Sequence, residues 1–187
     1  VTNERKGNFM QTASGIAYWP LDPRPDEVRI ADIAHALGML CRYGGHCLNF
    51  YSVAEHSVHV SHLVPPEHAL VALLHDATEA YCQDIVRPLK HSLPGYKEIE
   101  QRNWLAICTA FNLDPVLPQC VHDADVAMLF AEQDALMPPS PPEGDRRMGL
   151  TSPIEAKVNI FGYMPGRASA IFMRRFEELY VTEEALV

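Results

Sequence analysis

Three ionisable side chains, His75, Asp76 and Glu79, stand within the stretch LLHDATEAY, directly after an apolar run. On a helix, residues four apart share a face, so His75 and Glu79 are neighbours and Asp76 lies beside both. Such a trio can offer an imidazole nitrogen and a carboxylate oxygen to one cation, with a second carboxylate left to move protons. Mixed nitrogen and oxygen ligation suits Mn, Fe, Co, Ni or Zn. A solvated helix end would explain the same residues, and His-Asp pairs recur by chance; this chain has a second at His122-Asp123. The neighbours weigh the other way. Val71 to Leu74 precede the trio, and Ala77, Ala80 and Tyr81 follow it, which leaves little circumference for solvent. Buried acids beside a buried histidine need a metal or a dense hydrogen-bond network.

Two distant residues would complete such a site. His56, in YSVAEHS, falls at the start of a helix, and Asp125, in VHDAD, borders an apolar face carrying Met128 and Leu129. Asp134, near Phe130, is the rival to Asp125. His59, one turn after His56, reads as a hydrogen-bonded helix-face histidine, with a second metal as the alternative. His35, on an apolar helix, reads as a satisfied core histidine, whereas His62, His68, His91 and His122 read as surface residues. Arg146 and Arg147 read as a solvated pair. The five cysteines include no C-x-x-C spacing and read as small core fillers in a reducing compartment.

The elements that must position these groups are helices. Ile30, Ile33, Leu37 and Leu40 trace one helical face, and Gly44-Gly45 is expected to close that helix. SVAEHSVHVSHLV opens with Ser52 and Glu55 in capping-box spacing. Pro65-Pro66 should end that helix and start one running through EHALVALLHDATEAYC. DIVRPLKHSLPG reads as a loop. YKEIEQRNWLAICTAF, VHDADVAMLFAEQDALM and GRASAIFMRRFEELYV read as further amphipathic helices. Residues 1–25 are expected to form an N-terminal arm or short hairpin, and residues 26–187 one mainly α domain with a Pro-rich loop at 138–153.

Composition narrows the function. A net charge of −9 argues against a surface built to coat duplex nucleic acid or anionic lipid, but not against a small anion held by a local positive group. No apolar run approaches the ~18 residues of a membrane span, and the first residues lack the apolar stretch of a signal peptide. A cytoplasmic location is the expectation.

The order H…HD…D resembles the HD-domain superfamily of metal-dependent phosphohydrolases, nearest to its bacterial 5′-deoxynucleotidase branch and to prophage-type HD hydrolases. The resemblance spans roughly residues 30–137 and rests on five motifs in order: Arg42-Tyr43, Glu55-His56-Ser57, His75-Asp76 with Glu79, Asp84 to Lys90 (D-x-x-x-P-x-K), and Ala124-Asp125. It implies an all-α, HD-type bundle around one divalent metal ion (Mn, Co, Fe, Ni, Zn or Mg) held by His56, His75, Asp76 and Asp125. It also implies Glu79 as the acid/base group, Arg42 against the phosphate, and Tyr43 against the nucleoside. Asp84 and the backbone of Ile85, Val86 and Arg87 would line the sugar side. The activity so implied is release of phosphate from (deoxy)nucleoside 5′-monophosphates by a metal-activated water. A triphosphate or alarmone as substrate, or a non-catalytic nucleotide sensor, are the alternatives. Members often form dimers, so a homodimer is carried over as an expectation. The chain departs from the deoxynucleotidase branch in having Tyr43 where that branch has Trp, and Arg87 where it has a small polar residue. Its interval between His75-Asp76 and Asp125 is also shorter.

Overall fold

A computed structural model describes residues 4–145, 147 and 149–180. Residues 1–3, 146, 148 and 181–187 lie outside the described residues, and with them the ends of the expected arm and domain, and Arg146. The chain is mainly α. Two short strands, β1 (Met10–Gln11) and β2 (Ala17–Tyr18), pair antiparallel as a hairpin. Eight α-helices follow among the described residues: α1 (Ile30–Met39), α2 (Val53–His62), α3 (Ala69–Leu74), α4 (Glu79–Cys82), α5 (Arg87–Lys90), α6 (Tyr96–Phe111), α7 (Gln119–Leu136) and α8 (Pro165–Leu179). Among the described residues, no helix is long and apolar enough to cross a membrane.

Periodicity explains how the helices pack. On α1, Ile33 and Leu37 are fully buried, and they meet α8 where Phe172 is fully buried as well. Each large apolar side chain so buried contributes roughly 1.5–3 kcal/mol. The two helices approach closely because residue 38 is glycine: a Cβ there would collide with Ser169 Oγ and the Pro165 carbonyl. A second apolar cluster, Val60, Ala72, Val121, Ala124 and Met128, joins α2, α3 and α7. Helix α2 therefore belongs to both halves of the core, with His56 on its first two turns.

The arm is fastened rather than loose. Tyr18 stacks on Tyr81 at 3.8 Å between ring centroids, and its hydroxyl donates to Asn103 Oδ1 at 2.7 Å. Asp32, buried in the first turn of α1, accepts from Ser14 N and Oγ at 2.7 Å each.

Several expectations need correction. The helix expected through EHALVALLHDATEAYC is interrupted: His75–Thr78 form turns between α3 and α4. There Ala77 N donates to Leu74 O and Glu79 N to Asp76 O, the tighter three-residue spacing of a 3₁₀ turn. Helix α1 ends at Met39 rather than at the glycines, because Leu40 is extended and Cys41 pairs with Ser52 across a β-bridge. The stretch read as a loop contains α5, since Pro88 sits in its first turn where no amide partner is needed. His35 is exposed; it lies two positions from both Ile33 and Leu37, about 200° around the helix from each. His68 is half-buried, and only Cys108 among the cysteines is fully buried.

Ser52 caps α2 as its spacing predicts, its Oγ accepting from Glu55 N at 3.1 Å. The Glu55 side chain does something else. Fully buried, it accepts from the backbone N–H groups of Phe161 (2.8 Å), Gly162 (3.1 Å) and Tyr163 (2.7 Å), fixing the segment that leads into α8. Burial alone would raise its carboxyl, but His59 and these three amides hold it below its ordinary value. A folded value below the unfolded one means this stabilisation is full above the ordinary carboxylate range and is lost as pH falls through the folded value. Glu55→Ala is expected to cost about 2–4 kcal/mol by stranding three donors, and Glu55→Gln less, as read by urea unfolding at neutral pH. Equal stability of Glu55→Ala and the parent would show that the clamp carries no weight.

Candidate metal centre and cleft

The polar site lies where α2, the α3–α4 turn and α7 meet. His56 comes from α2, fully buried. His75 and Asp76 come from the turn, and Asp125 from α7. The tightened turn matters here. His75 and Asp76 are adjacent and would diverge by about 100° on a regular helix, yet Asp76 Oδ2 lies 3.3 Å from His75 Nε2 and 3.6 Å from His56 Nε2. Asp125 Oδ1 lies 3.2 Å from His56 Nε2 and 3.9 Å from His75 Nε2.

Each imidazole is oriented by its other nitrogen. His75 Nδ1 donates to the Ala72 carbonyl at 2.7 Å. His56 Nδ1 meets Glu132 Oε1 at 2.6 Å. Both Nε2 atoms are buried without a hydrogen-bond partner, even though Asp125 Oδ1 is only 3.2 Å from one of them. Lone pairs of two imidazoles converging on carboxylate oxygens repel one another unless a cation lies between them. Ligand atoms about 2.1 Å from one ion sit about 3.0 Å apart at right angles and about 3.4 Å apart at tetrahedral angles, close to the spacings above. His56, His75 and Asp125 thus form a group that could hold a metal ion. Without one, a proton takes the cation's part. Burial and Arg42 push His56 down, but Glu132 and Asp125 outweigh them and raise it to about 9. Burial likewise works to raise Asp125, yet His56 and His75 hold its carboxyl well below its ordinary value.

Glu132 is the residue that sequence reasoning missed. Fully buried on α7, it accepts from His56 Nδ1, from Arg42 Nε at 3.0 Å and from the Tyr43 hydroxyl at 2.9 Å. Burial would raise it, but Arg42 and His56 hold it at about 2. A signal was available. Glu132 lies in the apolar run AMLFAEQDALM, seven residues and therefore two turns after Asp125, on the same face. The rival Asp134 points elsewhere, exposed and paired with Arg147 at 3.0 Å.

Beside the centre opens a cleft of about 400 Å³. Arg42, Tyr43, Asp76, Glu79, Asp84, Ile85, Val86, Arg87 and Asp125 all line it. The structure therefore brings every predicted site residue together: His56 and His75 do not line the cleft themselves, but each lies within 3.9 Å of Asp76 and Asp125, which do. Lys90 and His91 line it too, so the exposed His91 read as bland surface borders the site. Arg42 is almost entirely buried, with Nη1 3.6 Å from Asp76 Oδ2. Tyr43 adopts a left-handed backbone (φ 59°), which turns its ring back so that its hydroxyl reaches Glu132. Glu79 Oε2 is buried without a hydrogen-bond partner; burial first, then the charges of Asp76 and Asp84, push its carboxyl well above the ordinary range. Asp84 is raised for the same first reason. His59 is half-buried and 3.8 Å from Glu55 Oε1, too far for the hydrogen bond expected of it, and its Nε2 is buried without a hydrogen-bond partner.

Outer partners of metal-bound histidines commonly govern affinity by 10–100-fold. Glu132→Gln should therefore weaken Mn or Co binding by roughly 10–100-fold in calorimetric titration while far-ultraviolet circular dichroism stays unchanged. Unaltered affinity would deny Glu132 its orienting role.

No protein-family profile matches the chain. It is 41% identical over 182 residues to the uncharacterized protein YfdR of Escherichia coli K12, an alignment covering 92% of this chain and 96% of that protein. It is 34% identical over 148 residues to an uncharacterized protein of Rhodobacter capsulatus, covering 72% of this chain and 76% of that one. The chain belongs to the family of YfdR.

Proposed function

We propose that this protein is a metal-dependent phosphohydrolase of the HD type, releasing inorganic phosphate from nucleoside 5′-monophosphates. The observation that supports this reading best is the pair of buried, unpartnered Nε2 atoms facing Asp76 and Asp125 at the edge of a cleft that also holds Glu79 and Arg42. A structural zinc site would close all its ligand positions with protein atoms, usually cysteines among them. Here no cysteine belongs to the group, and the cleft reaches two of the four ligands.

His56, His75, Asp76 and Asp125 would hold the ion. When bound, a divalent ion supplies Lewis acidity, polarising a phosphoryl oxygen and lowering the pKa of water. The chain's own groups do the rest. Arg42 presents a planar guanidinium to the phosphate, and its anchorage through Nε to Glu132 sets the angle of its terminal nitrogens. Glu79, with an unpartnered carboxyl oxygen in buried surroundings, accepts the proton of the attacking water and returns it to the 5′ oxygen as the phosphorus–oxygen bond breaks. Tyr43 offers a ring to the nucleoside, and Asp84 with Ile85–Arg87 borders the sugar. A cleft of about 400 Å³ lies within the ~300–1,000 Å³ range of small-molecule pockets, near the end that suits one nucleotide.

Protein stripped of metal and reloaded with Mn or Co should release phosphate from deoxynucleoside 5′-monophosphates. Glu79→Gln should lower kcat by at least ~100-fold while keeping its metal content, whereas Asp76→Ala should lose both. Absence of turnover across mono-, di- and triphosphates with every divalent metal would sink the reading, and tight nucleotide binding without turnover would replace it with a sensor.

A further inference from the structure

The loop that carries Arg42 and Tyr43 is bracketed by two thiols, Cys41 and Cys47. The backbone brings them together. Tyr43, Gly44 and Gly45 are three consecutive residues at positive φ (59°, 60° and 80°), a conformation glycine adopts without steric cost. They reverse the chain, and His46 N closes the turn on the Tyr43 carbonyl at 3.1 Å. The flanks are pinned: Arg42 N donates to Tyr51 O at 2.9 Å, and Leu48 N to Leu136 O at 2.8 Å. As a result Cys41 Sγ and Cys47 Sγ lie 3.5 Å apart. Both are free and half-buried, so small oxidants reach them.

We propose that Cys41 and Cys47 are a redox modification site, closing to a reversible intrachain disulfide under peroxide and fastening the loop that presents Arg42 and Tyr43 to the cleft. A disulfide needs sulfurs about 2.05 Å apart, which small side-chain rotations supply from the observed contact. The step balances with one peroxide. The Cys41 thiolate attacks a peroxide oxygen, giving a sulfenic acid and, after protonation, one water. The Cys47 sulfur then attacks the Cys41 sulfur, the S–OH bond breaks, and the Cys47 proton leaves with hydroxide as the second water. Both sulfurs are oxidised and the peroxide is reduced to two waters. Burial raises the Cys47 thiol, and its sulfur lies 3.7 Å from the Arg42 carbonyl, which suits it to the second, resolving position. A dithiol of this kind in a reducing environment is transient and sensing rather than structural.

The bond itself does not depend on the hydrolase reading; only its bearing on phosphate contact rests on that reading. The full chain is treated with hydrogen peroxide under native conditions, alkylated and digested for peptide mass mapping. The expected product is a Cys41–Cys47 linkage, with Cys82, Cys108 and Cys120 alkylated, and its reversal by dithiothreitol. Cys41→Ser and Cys47→Ser should each lack the linkage. In the oxidised protein, amide exchange at Gly44–His46 should slow by roughly tenfold. Alkylation of both thiols after peroxide, or pairing of either with another cysteine, would overturn the site. Unchanged exchange in the linked protein would overturn the fastening of the loop. Each of these outcomes is read without any measurement of phosphate release.

Discussion

A carboxylate with no exposure to water survives only if its charge is matched on every side, and Glu132 is matched by three groups from two other segments. His56 comes from α2, while Arg42 and Tyr43 come from the loop before it. One buried side chain on α7 thereby sets the tautomer of a candidate ligand, the angle of a candidate phosphate-binding arginine and the position of a candidate stacking ring. Breaking such a buried network strands an uncompensated charge at a cost of about 3–5 kcal/mol. The arrangement is therefore rigid before any ligand arrives, which is what a site must be to act on a small substrate.

The same logic runs through the periphery. Glu55, next to His56 in sequence, turns its carboxylate the opposite way and binds the segment before α8. Asp32 does the same for the hairpin arm. Three buried acids thus each tie a distant stretch of chain to a core helix. Two of the acids that line the cleft, Glu79 and Asp84, lack such matching; burial raises both. A protein gains no stability from leaving two carboxyl groups in that condition, whereas a site that moves protons requires at least one.

Much of this was legible in the sequence, and the reasons are local. Apolar periodicity marks α1, α6, α7 and α8, because a 3.6-residue repeat is visible in a single segment. His56 and Asp125 could be picked out by their helix start and apolar face, but only the resemblance joins them to His75 and Asp76, since residues up to about 70 positions apart leave no trace of contact in spacing. The turn at His75–Thr78 has no local signal, because LLHDATEA contains no proline or glycine to mark it. Glu132 belongs to none of the short motifs that carry the resemblance. An acid in the middle of an apolar helix, two turns from a candidate ligand, was the signal to weigh. Cys41 and Cys47 read as fillers because their approach depends on three left-handed residues, and only two of those are glycines.

If the unpartnered Nε2 atoms of His56 and His75 and the carboxylates beside them hold a cation, that ion must carry both imidazoles as ligands. X-ray absorption spectroscopy on the Mn- or Co-loaded protein tests it most directly, because it reports the donor atoms around the ion itself. The expected result is two imidazole nitrogens with carboxylate and water oxygens at about 2.0–2.2 Å, and the loss of one imidazole in His75→Ala. A shell containing sulfur, or one with no imidazole signal, would contradict it.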